Sequence, residues 1–190
     1  FSPNQIASYL MEIALQKNII KFTYEDLGWI LGPLLNAAGR MEDASLAVEA
    51  LLTSEKEISK HIYGLFELNN LRKSLQNDMI ERARKVAIGQ KYFIIVAIDD
   101  LHEGIVGIVA ARIAEDMGFP TIVFTLDENG LLKGSGRTVG KINIYNLIDQ
   151  NKNFLERCGG HAGACGLSLN PKNLENFTQA IKNSASKLSA

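Results

Sequence analysis

Apolar residues along this chain change their period near the middle. Up to about residue 89 they recur every three or four positions, the spacing that lines one face of an α-helix. Beyond that point they gather in short runs bounded by glycine, asparagine and proline, as buried strands and tight turns do. In the first part, Ser2 and Pro3 suit an N-cap and first turn, and Ile6, Leu10, Ile13 and Ala14 follow at helical spacing. A short helical piece from Thr23 to Leu31 meets Gly32-Pro33, and Asp43 reads as the N-cap of a helix running to Leu52. Ser54-x-x-Glu57 is a capping box, and Ile58, Ile62, Leu65, Phe66, Leu71, Leu75, Met79, Ala83 and Val86 continue from it in phase. That predicts one helix to Gly89, about 50 Å long at 1.5 Å per residue. Its other faces are charged, so it reads as a connector between two bodies.

After Gly89 the run K-Y-F-I-I-V-A-I predicts a buried strand, and Gly104 to Met117 a helix apolar enough to lie against a sheet. T-I-V-F-T-L is a second strand, and L-L-K-G-S-G-R a third after the turn Asp127-Glu128-Asn129-Gly130. Helical pieces from Asn143 to Arg157 lead into C-G-G-H-A-G-A-C-G-L-S-L, read as a glycine loop that resumes as a strand to Leu169, with His161 at the junction. A helix from Pro171 closes the chain. The expected fold class is α/β: a helical N-terminal segment (1–54), a long connector helix (55–89), then a compact domain (90–190) with a mixed sheet flanked by helices.

Composition narrows the class of protein. Of 190 residues, 46% are hydrophobic and 22% charged, an ordinary globular balance that excludes a disordered or fibrous chain. No run approaches a membrane span, and the opening F-S-P-N-Q lacks the basic and apolar regions of a secretory signal, so a cytoplasmic location without membrane contact is expected. A first residue other than methionine, opening into a helical pattern, suggests a piece of a longer protein. The net charge of −1 gives no global attraction to nucleic acid, so phosphate binding must be local. Two cysteines, Cys158 and Cys165, make no disulfide framework. C-x2-H-x3-C offers three soft ligands around His161 without a fourth, so free thiols are expected rather than zinc.

Three constellations could carry chemistry. Asp99-Asp100-Leu101-His102-Glu103 stands between a strand end and a helix start, where α/β sheets bind ligands and helix N-termini favour anions; the carboxylates read as capping, not as metal ligands. In Lys133-Gly134-Ser135-Gly136-Arg137, alternation points Ser135 and Arg137 to one side, a hydroxyl beside a guanidinium, with Gly134 and Gly136 read as clearing the approach for a phosphate. Gly159 and Gly160 let the backbone come close to a ligand beside His161.

Four stretches, G-P-L-L-N-A-A-G-R (Gly32 to Arg40), L-H-E-G-I-V-G-I-V-A-A-R (Leu101 to Arg112), K-G-S-G-R and C-G-G-H-A-G-A-C-G-L, together resemble the RecJ-type single-stranded-DNA-specific exonucleases of the DHH phosphoesterase superfamily. The resemblance spans nearly the whole chain in order. It implies a 5′-to-3′ exonuclease acting in DNA repair and recombination, with a catalytic domain that uses Mn or Mg. A connector helix and a DHH-associated substrate-binding domain would follow. By the same resemblance Arg40, Ser135 and Arg137 hold a 5′ phosphate or the strand backbone, and His102 and His161 stand near the scissile phosphate. No D-H-H tripeptide occurs here, so no metal is expected in this part alone, which is predicted inactive. The implied partners are single-stranded DNA and other replication or repair proteins. Rival readings are a nano-RNase or adenosine bisphosphate phosphatase of the same superfamily, which share the G-G-H loop, and a non-catalytic single-strand-binding relative.

Overall fold

The computed structural model describes residues 12, 13, 23, 25, 27–41, 43–53 and 57–188. The chain forms two compact units, 1–74 and 75–190. Of the helix expected from Ser2, only Glu12 and Ile13 are described, both helical with Ile13 buried, and the Ser54 half of the capping box lies outside the described residues.

In the first unit, a π-helical turn, Leu27–Leu31, runs into helix α1, Gly32–Met41. Pro33 has no N–H to donate to a carbonyl behind it, so the backbone ladder is interrupted where the π turn meets α1. Helix α2, Ser45–Leu52, begins later than the sequence suggests: Ala44 occupies the cap position, while the Asp43 carboxylate accepts from the Ser45 N–H at 3.0 Å. The long helix is present as α3, Ile58–Ala87. Its first half buries Ile58, Ile62, Leu65 and Phe66 against Leu34, Ala38, Ala47 and Ala50.

The second unit is built on a five-stranded mixed sheet of order β1-β2-β3-β5-β4. Its strands are β1 (Ile94–Ala97), β2 (Thr121–Leu126), β3 (Leu132–Arg137), β4 (Arg157–His161) and β5 (Ala164–Leu169). Only β1 and β2 run parallel, joined by helix α4, Glu103–Met117; the other pairs are antiparallel. Helices α5, Ile144–Asp149, and α6, Leu174–Ser186, cover one face, where Ile122, Phe124, Leu167 and Leu169 meet Ile144, Ile148, Phe177 and Ile181. Helix α4 packs on β2 and β3 from the other side. The α/β class and the mixed sheet are thus as the sequence indicates.

One element differs. Arg157–His161 is a strand, not the end of a helix, and closes a hairpin with β5 through Ala162-Gly163. Its residues R-C-G-G-H give no alternating apolar signal, because only Cys158 turns a side chain of any size to the core. The outer edge of β1 is closed by a side chain. The Gln90 amide accepts from Ile95 N at 3.0 Å and donates to Ile95 O at 2.8 Å, doing for one residue what a neighbouring strand would do.

Candidate functional site

Strand register places four of the eight sequence-derived candidates, Arg137, Ser135, His161 and Gly159, in two rows. Arg137 pairs with Ala164, which pairs with His161; Ser135 pairs with Gly166, which pairs with Gly159. Directly opposed residues share a face of the sheet. Since Cys165, Leu167 and Leu169 belong to the apolar core, the Arg137 and Ser135 rows lie on the opposite face. Ala164, Gly166 and Gly159 form its floor, and Gly159 would meet nothing within 4 Å if it carried a Cβ. The result is a shallow basic strip with His161 and the exposed Arg157 on its outermost strand.

The Arg137 guanidinium is held in place. Its Nη1 donates to Ser135 Oγ and to Gly136 O, both at 2.7 Å. Because Ser135 accepts, its own O–H remains a donor. Lys133, one residue pair further along, is different: its ammonium is met by Glu103 at 3.2 Å and by Asp127 at 3.6 Å, and Glu103 above all raises its pKa. Beside that ion pair a cavity of about 200 Å³ is lined by Glu103, Val106, Thr125, Lys133, Gly134 and Ser135.

Two glycines do something other than expected. A Cβ on Gly134 would lie 2.5 Å from the Phe124 ring, and one on Gly136 3.0 Å from Ile144 Cδ1. Both therefore clear the apolar face, not the approach to Arg137. The glycine that gives Arg137 room is Gly107 on α4, which the sequence did not single out: a Cβ there would lie 2.8 Å from Arg137 Nη2 and 3.1 Å from Ser135 Oγ. Gly160 admits no side chain at all, since a Cβ would overlap the backbone of Ala164 and Cys165.

The histidines are set alike. His102 caps α4, its Nδ1 accepting from the Gly104 N–H at 3.2 Å, and His161 Nδ1 accepts from the Gly163 N–H at 3.2 Å across the hairpin turn. In both, the proton then sits on Nε2, so each ring presents a donor. Capping thus falls to His102 rather than to the preceding aspartates. Asp100 instead accepts from Arg82, which holds its carboxyl below the usual range, and the Asp99 carbonyl accepts from Thr125. Alternation also sets His161 on the face opposite Cys158 and the buried Cys165, so the three cannot converge on one ion. Burial pushes the Cys165 thiol up, as expected of a packing residue. Among the described residues no group of three or more His, Cys, Asp or Glu could hold a metal ion.

Arg40 belongs to the first unit. It is exposed near the end of α1, and Arg72 of the same unit feels it: burial first, then the Arg40 charge, lowers the Arg72 pKa. Arg72 Nε donates to the buried Asn69 Oδ1 at 3.2 Å.

Comparison with known proteins identifies the family and agrees with the fold. The DHHA1 domain family matches residues 90–187. The chain is 35% identical over 180 residues to the single-stranded-DNA-specific exonuclease RecJ of Haemophilus influenzae, and 33% identical over 185 residues to that of Escherichia coli. These alignments cover 88% and 90% of this chain but 31% of each relative, so the chain spans about a third of their length. A crystal structure of RecJ with Mn2+ from Thermus thermophilus superposes with a TM-score of 0.84 at 25% identity, covering 95% of this chain and 27% of that one.

Proposed function

Because this chain belongs to the DHHA1 domain family, we propose that it is the strand-gripping C-terminal part of a RecJ-like 5′-to-3′ exonuclease of single-stranded DNA. The observation that carries the reading is the Arg137–Ser135 clasp, standing in register with the glycine and alanine floor and with His161. A guanidinium offers a planar fork of donors, a hydroxyl adds another, and the small floor residues let a sugar–phosphate chain lie close. Arg137 and Ser135 would hold a terminal or backbone phosphate. Gly159 and Gly160 would offer backbone along the strand's path, and His161 and His102 Nε2–H donors to phosphate oxygens. Arg40 would hold a 5′ phosphate or strand backbone, as the family resemblance implies. The relatives' names favour this reading over the nano-RNase, bisphosphate phosphatase and non-catalytic alternatives.

In this reading residues 1–54 end the catalytic domain, 55–89 form the connector and 90–190 the DHH-associated domain. Mn or Mg in the whole protein would supply the activated water of a two-metal hydrolysis. The residues described here do not fit such a centre, Asp100 being engaged by Arg82, so the chain by itself is proposed to bind strands without cutting them. A cytoplasmic role in repair and recombination, beside other replication or repair proteins, belongs to the same proposal.

Titration with 5′-phosphorylated and 5′-hydroxyl oligonucleotides at several salt concentrations tests it. The expected outcome is a preference for the 5′ phosphate that Arg137→Ala removes, with a salt slope flatter by about 0.7 for one lost contact. Unchanged affinity and slope in that variant would refute the phosphate role.

A further inference from the structure

We propose that Gly107 is a positioning residue for phosphate binding: by lacking a side chain, it lets the Arg137 guanidinium lie against helix α4 in the orientation that Ser135 fixes. This rests on the phosphate-binding reading of Arg137. Gly107 is the fifth residue of a 15-residue helix, well inside it, where glycine is the poorest choice after proline for helix stability. The three atoms nearest to where its side chain would begin all belong to side chains. What occupies the space is functional side chain: a Cβ at 107 would fall 2.8 Å from Arg137 Nη2, 3.5 Å from its Cζ and 3.1 Å from Ser135 Oγ.

The first of these distances is one that real Cβ atoms do not tolerate, so the guanidinium would have to move. A guanidinium at the end of a flexible side chain can do so at little cost to folding. Its cost falls on geometry instead, because the two 2.7 Å bonds from Nη1 to Ser135 Oγ and Gly136 O depend on where the plane lies. A fork displaced by about 1 Å no longer meets a phosphate that Ser135 contacts at the same time. Gly107 therefore separates two quantities that most core glycines tie together. Gly134 and Gly136, packed against Phe124 and Ile144, should lose stability when substituted. Gly107 should lose binding.

The test compares Gly107→Ala, Arg137→Ala and the double variant in this 190-residue chain. Melting temperature is one readout and anisotropy with a 5′-phosphorylated single-stranded oligonucleotide another. The Arg137 Nε–H NMR signal without ligand gives a third that reports the guanidinium itself. Gly107→Ala is expected to hold or raise the melting temperature, by at most about 2–4 °C, as alanine suits a helix interior. It should weaken binding by about tenfold, shift the Arg137 signal, and add nothing to the loss caused by Arg137→Ala. Unchanged binding in Gly107→Ala, with binding lost in Arg137→Ala, would overturn the proposal and leave the phosphate reading standing. Unchanged binding in Arg137→Ala would overturn that reading and this proposal with it. Binding and melting temperature falling together in Gly107→Ala would show Gly107 to be a packing residue only.

Discussion

The two faces of strands β3, β5 and β4 use small residues for opposite ends. On the face covered by α5 and α6, Gly134 and Gly136 make room for Phe124, Ile122, Ile144 and Ile148, so absence of a side chain serves close packing. On the other face, Gly159, Gly166 and Ala164 lie in line with Arg137, Ser135 and His161, and a Cβ at Gly159 would meet nothing within 4 Å, so the absence serves access. A glycine-rich motif is therefore not one signal. Which job a glycine has follows from the parity of its position along the strand.

Substitutions that add one methyl group sharpen the contrast. Gly160→Ala should have the largest effect, because its Cβ meets backbone, which cannot step aside as a side chain can; a loss of about 3 kcal/mol or more is expected by denaturant unfolding. Gly134→Ala, against the Phe124 ring, should cost about 1–3 kcal/mol. Arg137→Ala reverses the pattern, with stability changed by less than about 0.5 kcal/mol and oligonucleotide binding weakened by about 1.5–3 kcal/mol if its bonds to phosphate are charge-assisted. Gly159→Ala, with open space around its Cβ position, should leave stability within about 0.5 kcal/mol. If Gly159→Ala unfolded the hairpin, or Gly134→Ala left stability intact, the division between the faces would not hold.

The sequence shows most of the fold because its period changes in step with structure: the strands Thr121–Leu126 and Leu132–Arg137, helix α4 and helix α3 all fall within a few residues of where apolar spacing puts them. It hides β4 because a strand of R-C-G-G-H carries almost no side chain to alternate. The site is partly legible. Ser135 and Arg137 share a strand, so alternation alone pairs them. That His161 joins their row depends on the register of three strands, and that Gly107 admits the guanidinium depends on the packing of α4; local spacing contains neither. A cap by histidine at His102 escapes for a related reason, since the acidic residues before it are the commoner caps.

Backbone NMR of the chain during titration with a 5′-phosphorylated oligonucleotide tests the division of faces most directly. The account predicts that Ser135, Arg137, Ala164, Gly166, Gly159 and His161 shift together. It also predicts that the groove lined by Gln76, Asn77, Ile80, Glu81, Arg84 and Arg112 stays silent, since Arg84 and Arg112 are both paired with Asp116. Shifts gathered in that groove, with the two rows of the sheet unmoved, would contradict it.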